Sequence, residues 1–150
     1  MDMHPIVFLY RHALEVYLKS ILVFGNGVLL INKRPSANIE RILGCKHDLR
    51  GMLPGAKSIF DLIDCSDIWI PPTFSSFADV ERVVGAFDEI KHDAFRYPVD
   101  RAGSKELLEE PLCFNALVFA EKAEALMELL QKAAKRSDEA FQDYFPHMPS

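Results

Sequence analysis

The chain has 150 residues, of which 49% are hydrophobic and 26% charged, and its formal net charge at neutral pH is −5. This length suits one domain that buries about two-thirds of its unfolded surface in one core, and the composition argues against a mainly disordered chain. The negative charge argues against nucleic-acid binding through a global cationic field, although the first fifty residues carry seven Lys and Arg against four Asp and Glu. The three cysteines, Cys45, Cys65 and Cys113, are far apart and form no CxxC spacing, which indicates reduced thiols in a cytosolic protein.

The first predicted helix begins near Pro5, whose fixed φ angle suits a first helical turn. Apolar residues recur from Ile6 through Phe24, and Gly25-Asn26-Gly27 is expected to end the helix. The next four residues, Val28 to Ile31, fit either a buried connector or a strand. Charged residues within the apolar stretch argue against a membrane span and a signal peptide, so we expect a cytoplasmic protein without membrane contact.

A short helix is predicted from about Ser36 to Leu43, ending at Gly44. A further helix is predicted from His47, with Asp48 as a candidate N-cap. Because proline removes a backbone donor, Pro54-Gly55 is expected to interrupt this helix, and a second helical piece follows to about Ile63.

The segment from Asp64 to Pro72 is predicted to be a turn-rich loop, since two adjacent prolines cannot continue a helix. Trp69 in this loop fits two interpretations. It is either an exposed anchor for a partner or an aromatic side chain that folds onto the core.

Two longer helices complete the predicted fold. One begins at Ser75 or Ser76 and ends near Phe95, and the other follows Asn115 and ends at about Phe141 or Tyr144. Strand alternation is nearly absent from the sequence. The elements therefore predict an all-α fold, a single antiparallel up-and-down bundle of four to five helices over residues 1–145, with a loose tail at 146–150.

Four polar residues of the first helix, Arg11, His12, Glu15 and Lys19, fall within an arc of about 100° on a helical wheel. The rest of the circumference is mostly apolar, so we expect this helix to lie at the centre of the bundle. Three interpretations of the stripe are open. It is a solvated face with i,i+4 ion pairs, a polar groove that binds phosphate or an acidic partner, or a buried network that fixes the bundle register.

The segment from Phe8 to Lys19 resembles the first-helix signature of HEPN-type helical-bundle proteins. The resemblance continues with Lys46 to Leu49 and Leu53, and with Phe95 to Asp100, and it spans about residues 5–130. It implies an up-and-down bundle of four or five helices that is often dimeric. Many such proteins are metal-independent ribonucleases of toxin–antitoxin, phage-defence or RNA-processing systems. Others bind nucleotides or are inactive companions of nucleotidyltransferases.

The nuclease members of this family carry an Arg and a His with four to six residues between them, late in the bundle. Arg41 and His47 have a matching spacing but lie early in the chain, and His92 precedes Arg96 in the reverse order. The catalytic motif is therefore absent or displaced, and no catalytic residue is assigned. If the protein is an enzyme, it is expected to be a metal-independent ribonuclease. The sequence contains no GxGxxG, Walker A, HExxH or GxSxG motif, and its scattered histidines predict no metal site.

His47 and Arg96 are further candidates for ligand binding beside the first-helix stripe. Each also has a structural interpretation. His47 lies near a helix start, where a neutral imidazole is favoured, and Arg96 is placed to bind helix-terminal carbonyls or a carboxylate.

The leading hypothesis is a HEPN-like accessory or binding protein that holds a phosphate-bearing ligand, either nucleotide or RNA, or a protein partner. Its polar groove would be formed by Arg11, His12, Glu15, Lys19, His47 and Arg96. The alternatives are a metal-independent HEPN-type endoribonuclease and a purely structural interaction module. The expected partners are a nucleotidyltransferase or antitoxin protein and a second copy in a homodimer, with no cofactor and no metal.

Overall fold

The computed structural model describes residues 4–34, 39–44, 48–89 and 116–144. Within these ranges the chain contains no strand, and the β pairing there is one isolated antiparallel bridge between Ile70 and Phe74. The predicted all-α fold is therefore confirmed. The described residues form five helices, which are α1 (His4–Ile31), α2 (Ile39–Gly44), α3 (Leu49–Leu62), α4 (Phe77–Glu89) and α5 (Ala116–Tyr144).

The prediction that Gly25-Asn26-Gly27 ends the first helix is wrong, because α1 continues without a break to Ile31. Both glycines lie where another helix comes very close. A Cβ atom at Gly25 would stand 2.5 Å from the Ile59 side chain of α3, and one at Gly27 would stand 2.5 Å from the Phe141 ring of α5. A helical glycine costs about 1 kcal/mol relative to alanine. Here that cost is offset by close helix packing, a tertiary effect that local sequence does not report.

The α3 helix confirms one prediction and corrects another. The Asp48 side chain caps it as predicted, accepting a hydrogen bond from the Gly51 amide at 2.8 Å. Pro54, however, lies inside a continuous helix. The buried residues keep a spacing of three and four on both sides of the proline, so packing of this face outweighs the one missing backbone donor. They are Leu49, Met52, Leu53, Ala56, Ile59 and Phe60.

The loop after α3 has the predicted turns and covers one end of the core. Trp69 is half-buried in it and packs against the core, with its ring centroid 5.9 Å from that of Phe60. The interpretation of Trp69 as an aromatic folded onto the core is therefore the one that holds. Next, the Asp79 carboxylate accepts hydrogen bonds from the Ser75 and Ser76 amides at 2.9 and 3.2 Å, which secures the start of α4.

The α3 and α4 helices run antiparallel. The Leu49 amide, at the start of α3, donates to Asp88 near the end of α4 at 3.2 Å. At the other end of the pair, the rings of Phe60 and Phe77 meet edge to face with centroids 5.1 Å apart. This pair therefore has the direction predicted for the whole bundle.

The α1 and α5 helices instead run parallel. The Tyr10 hydroxyl donates to Glu124 at 3.3 Å, and one helix length further on Asn32 donates to the Tyr144 hydroxyl at 3.1 Å. Sequence position therefore rises in the same direction along both helices. The contacts Arg11–Asp88 and Tyr10–Glu124 place the last turn of α4 and the first part of α5 at the same end of α1.

The α1 helix, from Pro5 to Ile31, is long and apolar enough to cross a membrane, judged by length and composition alone. Half of its most apolar stretch is buried inside the protein, and the central helix of a soluble bundle has the same properties. Consistent with the prediction of a central position, α1 contacts each of the other four helices.

Candidate functional site on the first helix

The predicted polar stripe of α1 turns inward at two of its four residues. Arg11 is 4% exposed and Glu15 is 3% exposed. The interpretation of the stripe as a solvated face therefore fails for these two side chains.

Arg11 takes part in a junction of three helices. Its Nη2 atom lies 3.1 Å from Oδ1 of Asp88 on α4. The same carboxylate oxygen accepts the hydrogen bond from the Leu49 amide in the first turn of α3. Because a helix N-terminus attracts negative charge, Asp88 is stabilised both by the guanidinium and by the end of α3. The cation that sequence analysis assigned to a ligand thus already holds an internal anion.

Glu15 and Lys19 form the predicted i,i+4 ion pair, with Lys19 Nζ 2.6 Å from Glu15 Oε1. The Lys19 side chain is 22% exposed, so it lies at the edge of the buried region. His12 faces outward, and its ring stacks on that of Phe8 with an interplanar angle of 3° and centroids 6.3 Å apart. The stripe therefore runs from a buried network at Arg11 and Glu15 to an exposed imidazole.

The structure brings the first-helix candidates together with Asp88, which sequence analysis did not identify. Asp88 is separated from Arg11 by 77 residues in sequence, so no local pattern connects them. The predicted candidates His47 and Arg96 lie outside the described residues.

The outward face of α1 carries a second feature that sequence analysis missed. Four large apolar side chains are exposed at intervals of seven residues: Leu9 (64%), Val16 (48%), Val23 (39%) and Leu30 (59%). Three residues before each of them lies a half-buried side chain or glycine, namely Ile6, Ala13, Ser20 and Gly27. These eight residues, which we call the α1 seam, occupy the a and d positions of four consecutive heptads.

The two edges of the seam differ in charge. His12 and Lys19 lie along one edge. Along the other, α5 approaches, and Glu124 accepts the hydrogen bond from Tyr10. Burial raises the pKa of the Tyr10 hydroxyl, and the neighbouring Glu124 carboxylate raises it further, so this phenol is neutral at physiological pH.

A cleft of about 420 Å³ lies between α3 and α4. Its two cations already have protein partners: Arg50 donates to the Gly85 carbonyl at 3.2 Å, and Arg82 donates to Asp79 at 2.9 Å. Among the described residues, no group of three or more His, Cys, Asp or Glu side chains is arranged to hold a metal ion. Both cations of the cleft are therefore engaged within the protein, and we consider the α1 seam the stronger candidate for an interaction site.

The described helices form an all-α bundle whose first helix exposes four large apolar side chains at seven-residue spacing. No family model, curated protein or solved structure matches this chain.

Proposed function

We propose that this protein is an all-α interaction module that docks an amphipathic partner helix along the α1 seam. The observation that carries the proposal is that α1 is apolar on both faces. Its inward face packs in the core through Leu14, Leu18 and Ile21, while its outward face exposes the four large apolar side chains of the seam. A row of large apolar side chains exposed along one helix is typical of a surface that binds a partner.

A partner helix fits the seam better than a lipid surface. Helices that lie on membranes combine a wide apolar face with many basic residues that attract anionic lipids. The seam is a narrow a/d stripe, and the protein as a whole has a net charge of −5. Together with the reduced thiols expected from the sequence, these properties lead us to propose a cytoplasmic protein.

The contacts of Arg11 and Lys19 favour this proposal over the ligand-binding and ribonuclease hypotheses. A phosphate-binding groove would require Arg11 and Lys19 to face a ligand, whereas they face the carboxylates of Asp88 and Glu15. Nucleotide or RNA binding and metal-independent RNA cleavage rest on the resemblance to HEPN-type bundles, which remains a prediction. We therefore treat them as competing outcomes of the test.

The test measures binding of a fluorescent helical peptide with leucine at every a and d position, against a scrambled peptide of the same composition. The protein is used at nanomolar concentration, as wild type and as the double variant Val16→Glu, Val23→Glu. A matched control, Ala78→Glu, Ala86→Glu, adds the same charge at two exposed positions of α4.

We expect the wild type and the α4 control to bind the heptad peptide in preference to the scrambled one, and the seam variant to lose binding. Equal binding by the seam variant, or no preference for the heptad peptide, contradicts the proposal. RNA cleavage in EDTA by the wild type, or binding of anionic vesicles through the seam, would replace it with the corresponding alternative.

A further inference from the structure

We infer that the helix bound at the α1 seam is a basic amphipathic helix. Its apolar side contacts Leu9, Val16 and Val23 of α1, and its Lys or Arg side chains lie against Glu121 and Glu124 of α5. We call these five residues the α1–α5 surface. This inference rests on the proposed function, and it specifies which part of the seam is used and the charge of the partner.

The seam is open over part of its length. Phe141 of α5 packs on Gly27, where a Cβ atom would stand 2.5 Å from the Phe141 ring, so α5 covers the seam at that position. Before it, Leu9, Val16 and Val23 are exposed. These three residues extend over about 21 Å of helix, a length that four turns of a partner helix can cover.

The α5 helix flanks this open part on one side. Its Glu124 contacts Tyr10 and its Phe141 contacts Gly27, and the two contacts are the same number of residues apart on both helices. Because the helices are parallel, α5 follows α1 from one contact to the other. The row that contains Gly27 and the row that contains Phe141 continue along the two helices as half-buried residues at seven-residue spacing: Ile6, Ala13 and Ser20 on α1, and Ala120, Met127 and Ala134 on α5. The exposed sides of the two helices therefore lie next to each other, outside these rows.

The exposed side of α5 is acidic beside Tyr10. Glu121 and Glu124 are both exposed, and residues three apart share one side of a helix. Glu124 accepts its hydrogen bond from the Tyr10 hydroxyl, which is neutral at physiological pH because burial raises its pKa. This contact therefore leaves the negative charge of Glu124 in place. Glu128, one turn further on, is instead paired with Lys132 at 2.7 Å.

The opposite edge of the seam makes no such demand on a partner. Lys19 is paired there with Glu15 at 2.6 Å, and the His12 ring stacks on that of Phe8. A partner helix thus meets apolar side chains in the middle and negative charge on the α5 side. Lys and Arg complement this arrangement, because their long stems cover apolar surface while their charged ends reach the carboxylates. An acidic helix would place like charges together.

The test compares three fluorescent helical peptides with leucine at every a and d position. They differ at the positions that flank a and d, which are all Lys, all Gln or all Glu. Binding to the full chain is followed by fluorescence anisotropy at low and at high salt. The charge variant is Glu121→Gln, Glu124→Gln, in which the amide introduced at position 124 still accepts the Tyr10 hydrogen bond. Its matched control, Asp61→Asn, Glu81→Gln, removes the same charge from exposed positions of α3 and α4.

We expect the wild type to bind the Lys peptide about 10-fold more tightly than the Gln peptide, because exposed ion pairs each add modestly to binding. The Glu peptide should bind most weakly. In Glu121→Gln, Glu124→Gln the preference for the Lys peptide should largely disappear, whereas the Asp61→Asn, Glu81→Gln control should keep it. High salt should weaken binding of the Lys peptide more in the wild type than in the charge variant, because salt screens exposed charges.

A second variant, Val16→Ser, Val23→Ser, tests the apolar part of the surface without adding charge. Ala78→Ser, Ala86→Ser is its control on α4. We expect the seam variant to lose binding of the Lys and Gln peptides and the α4 control to retain it. Circular dichroism establishes that each variant is folded.

The possible outcomes separate this inference from the proposed function. Equal or tighter binding of the Gln or Glu peptide, or a preference for the Lys peptide that survives Glu121→Gln, Glu124→Gln, overturns the basic partner. If binding is still lost in Val16→Ser, Val23→Ser, the proposed function stands. Binding of every peptide that is unchanged in the seam variant, or no binding of any peptide by the wild type, overturns both.

Discussion

Asp88 is the residue whose removal most directly tests whether the polar stripe of α1 is structural. Its carboxylate accepts a hydrogen bond from Arg11 on α1 at 3.1 Å and one from the Leu49 amide of α3 at 3.2 Å. Asp88→Ala removes both contacts at once, and it does so at a site where the Arg11 and Asp88 side chains are only 5% and 15% exposed. The substitution should therefore destabilise the bundle.

The size of the expected loss in unfolding free energy follows from the burial of the Arg11–Asp88 ion pair. Removing one partner of a buried ion pair costs about 3–5 kcal/mol, and the partial exposure of the Asp88 side chain places the expected loss near the lower end, at about 3 kcal/mol. For a chain of this size each kcal/mol lowers the melting temperature by about 2–4 °C. We therefore expect a fall of about 6–12 °C, with little dependence on salt because a buried pair is weakly screened.

The assay is urea and thermal unfolding followed by circular dichroism. Asp61→Ala is the matched control, because the Lys57–Asp61 pair has similar geometry at 2.9 Å but side chains that are 50% and 65% exposed, and exposed pairs contribute little. If Asp88→Ala is as harmless as Asp61→Ala, the structural interpretation of Arg11 is wrong. Stabilisation of the wild type by inorganic phosphate, lost in Arg11→Ala, would instead support a ligand groove.

Three further substitutions test the fold. Gly25→Ala should lower the free energy of unfolding by about 1 kcal/mol in urea, because overpacking against Ile59 exceeds the gain in helix propensity. Gly44→Ala is the control and should show no such loss, because a Cβ atom placed at Gly44 meets no other atom. Asp48→Ala should cost about 1 kcal/mol through loss of the α3 cap, and an unchanged urea midpoint would contradict the cap. Burial raises the pKa of the Cys65 thiol to about 11. The thiol of the unfolded chain therefore ionises first as the pH rises above about 9, and the free energy of unfolding should fall towards pH 11. Cys65→Ala should lack this part of the fall.

The sequence predicted the elements whose ends depend on local chemistry. Asp48 caps α3 through its own side chain, α4 begins within two residues of the predicted serines, and α5 ends at Tyr144, one of the two predicted positions. The turn-rich loop also follows from local composition, whereas the core position of Trp69 was one of two open interpretations and is decided by its contact with Phe60. In each case the determining contact lies within a few residues, or the alternatives were few.

Predictions failed where the deciding contact is distant in sequence. Gly25 and Gly27 look like a helix stop until Ile59 and Phe141 are seen packed against them. The helical wheel grouped the polar residues of α1 correctly but did not determine which side of the helix faces the core. That side depends on Asp88, which lies 77 residues from Arg11. A search for seven-residue spacing would have found the seam, since its regularity is visible in the sequence.

The inward charges and the outward apolar seam of α1 are consequences of one rotational setting. Both faces of this helix carry enough leucine, isoleucine and valine to pack in a core, so hydrophobic burial alone selects weakly between them. Arg11 favours one of the two faces more strongly. Rotating α1 by 180° about its axis would move the Arg11 guanidinium away from Asp88 and remove one of the two hydrogen bonds to that carboxylate. A buried ion pair adds little net stability compared with apolar packing, but it can specify one arrangement among similar ones. On this argument the Arg11–Asp88 pair fixes which face of α1 remains outside. The polar network that sequence analysis assigned to a ligand thereby determines which face of α1 carries the exposed apolar side chains at which we propose that a partner helix docks.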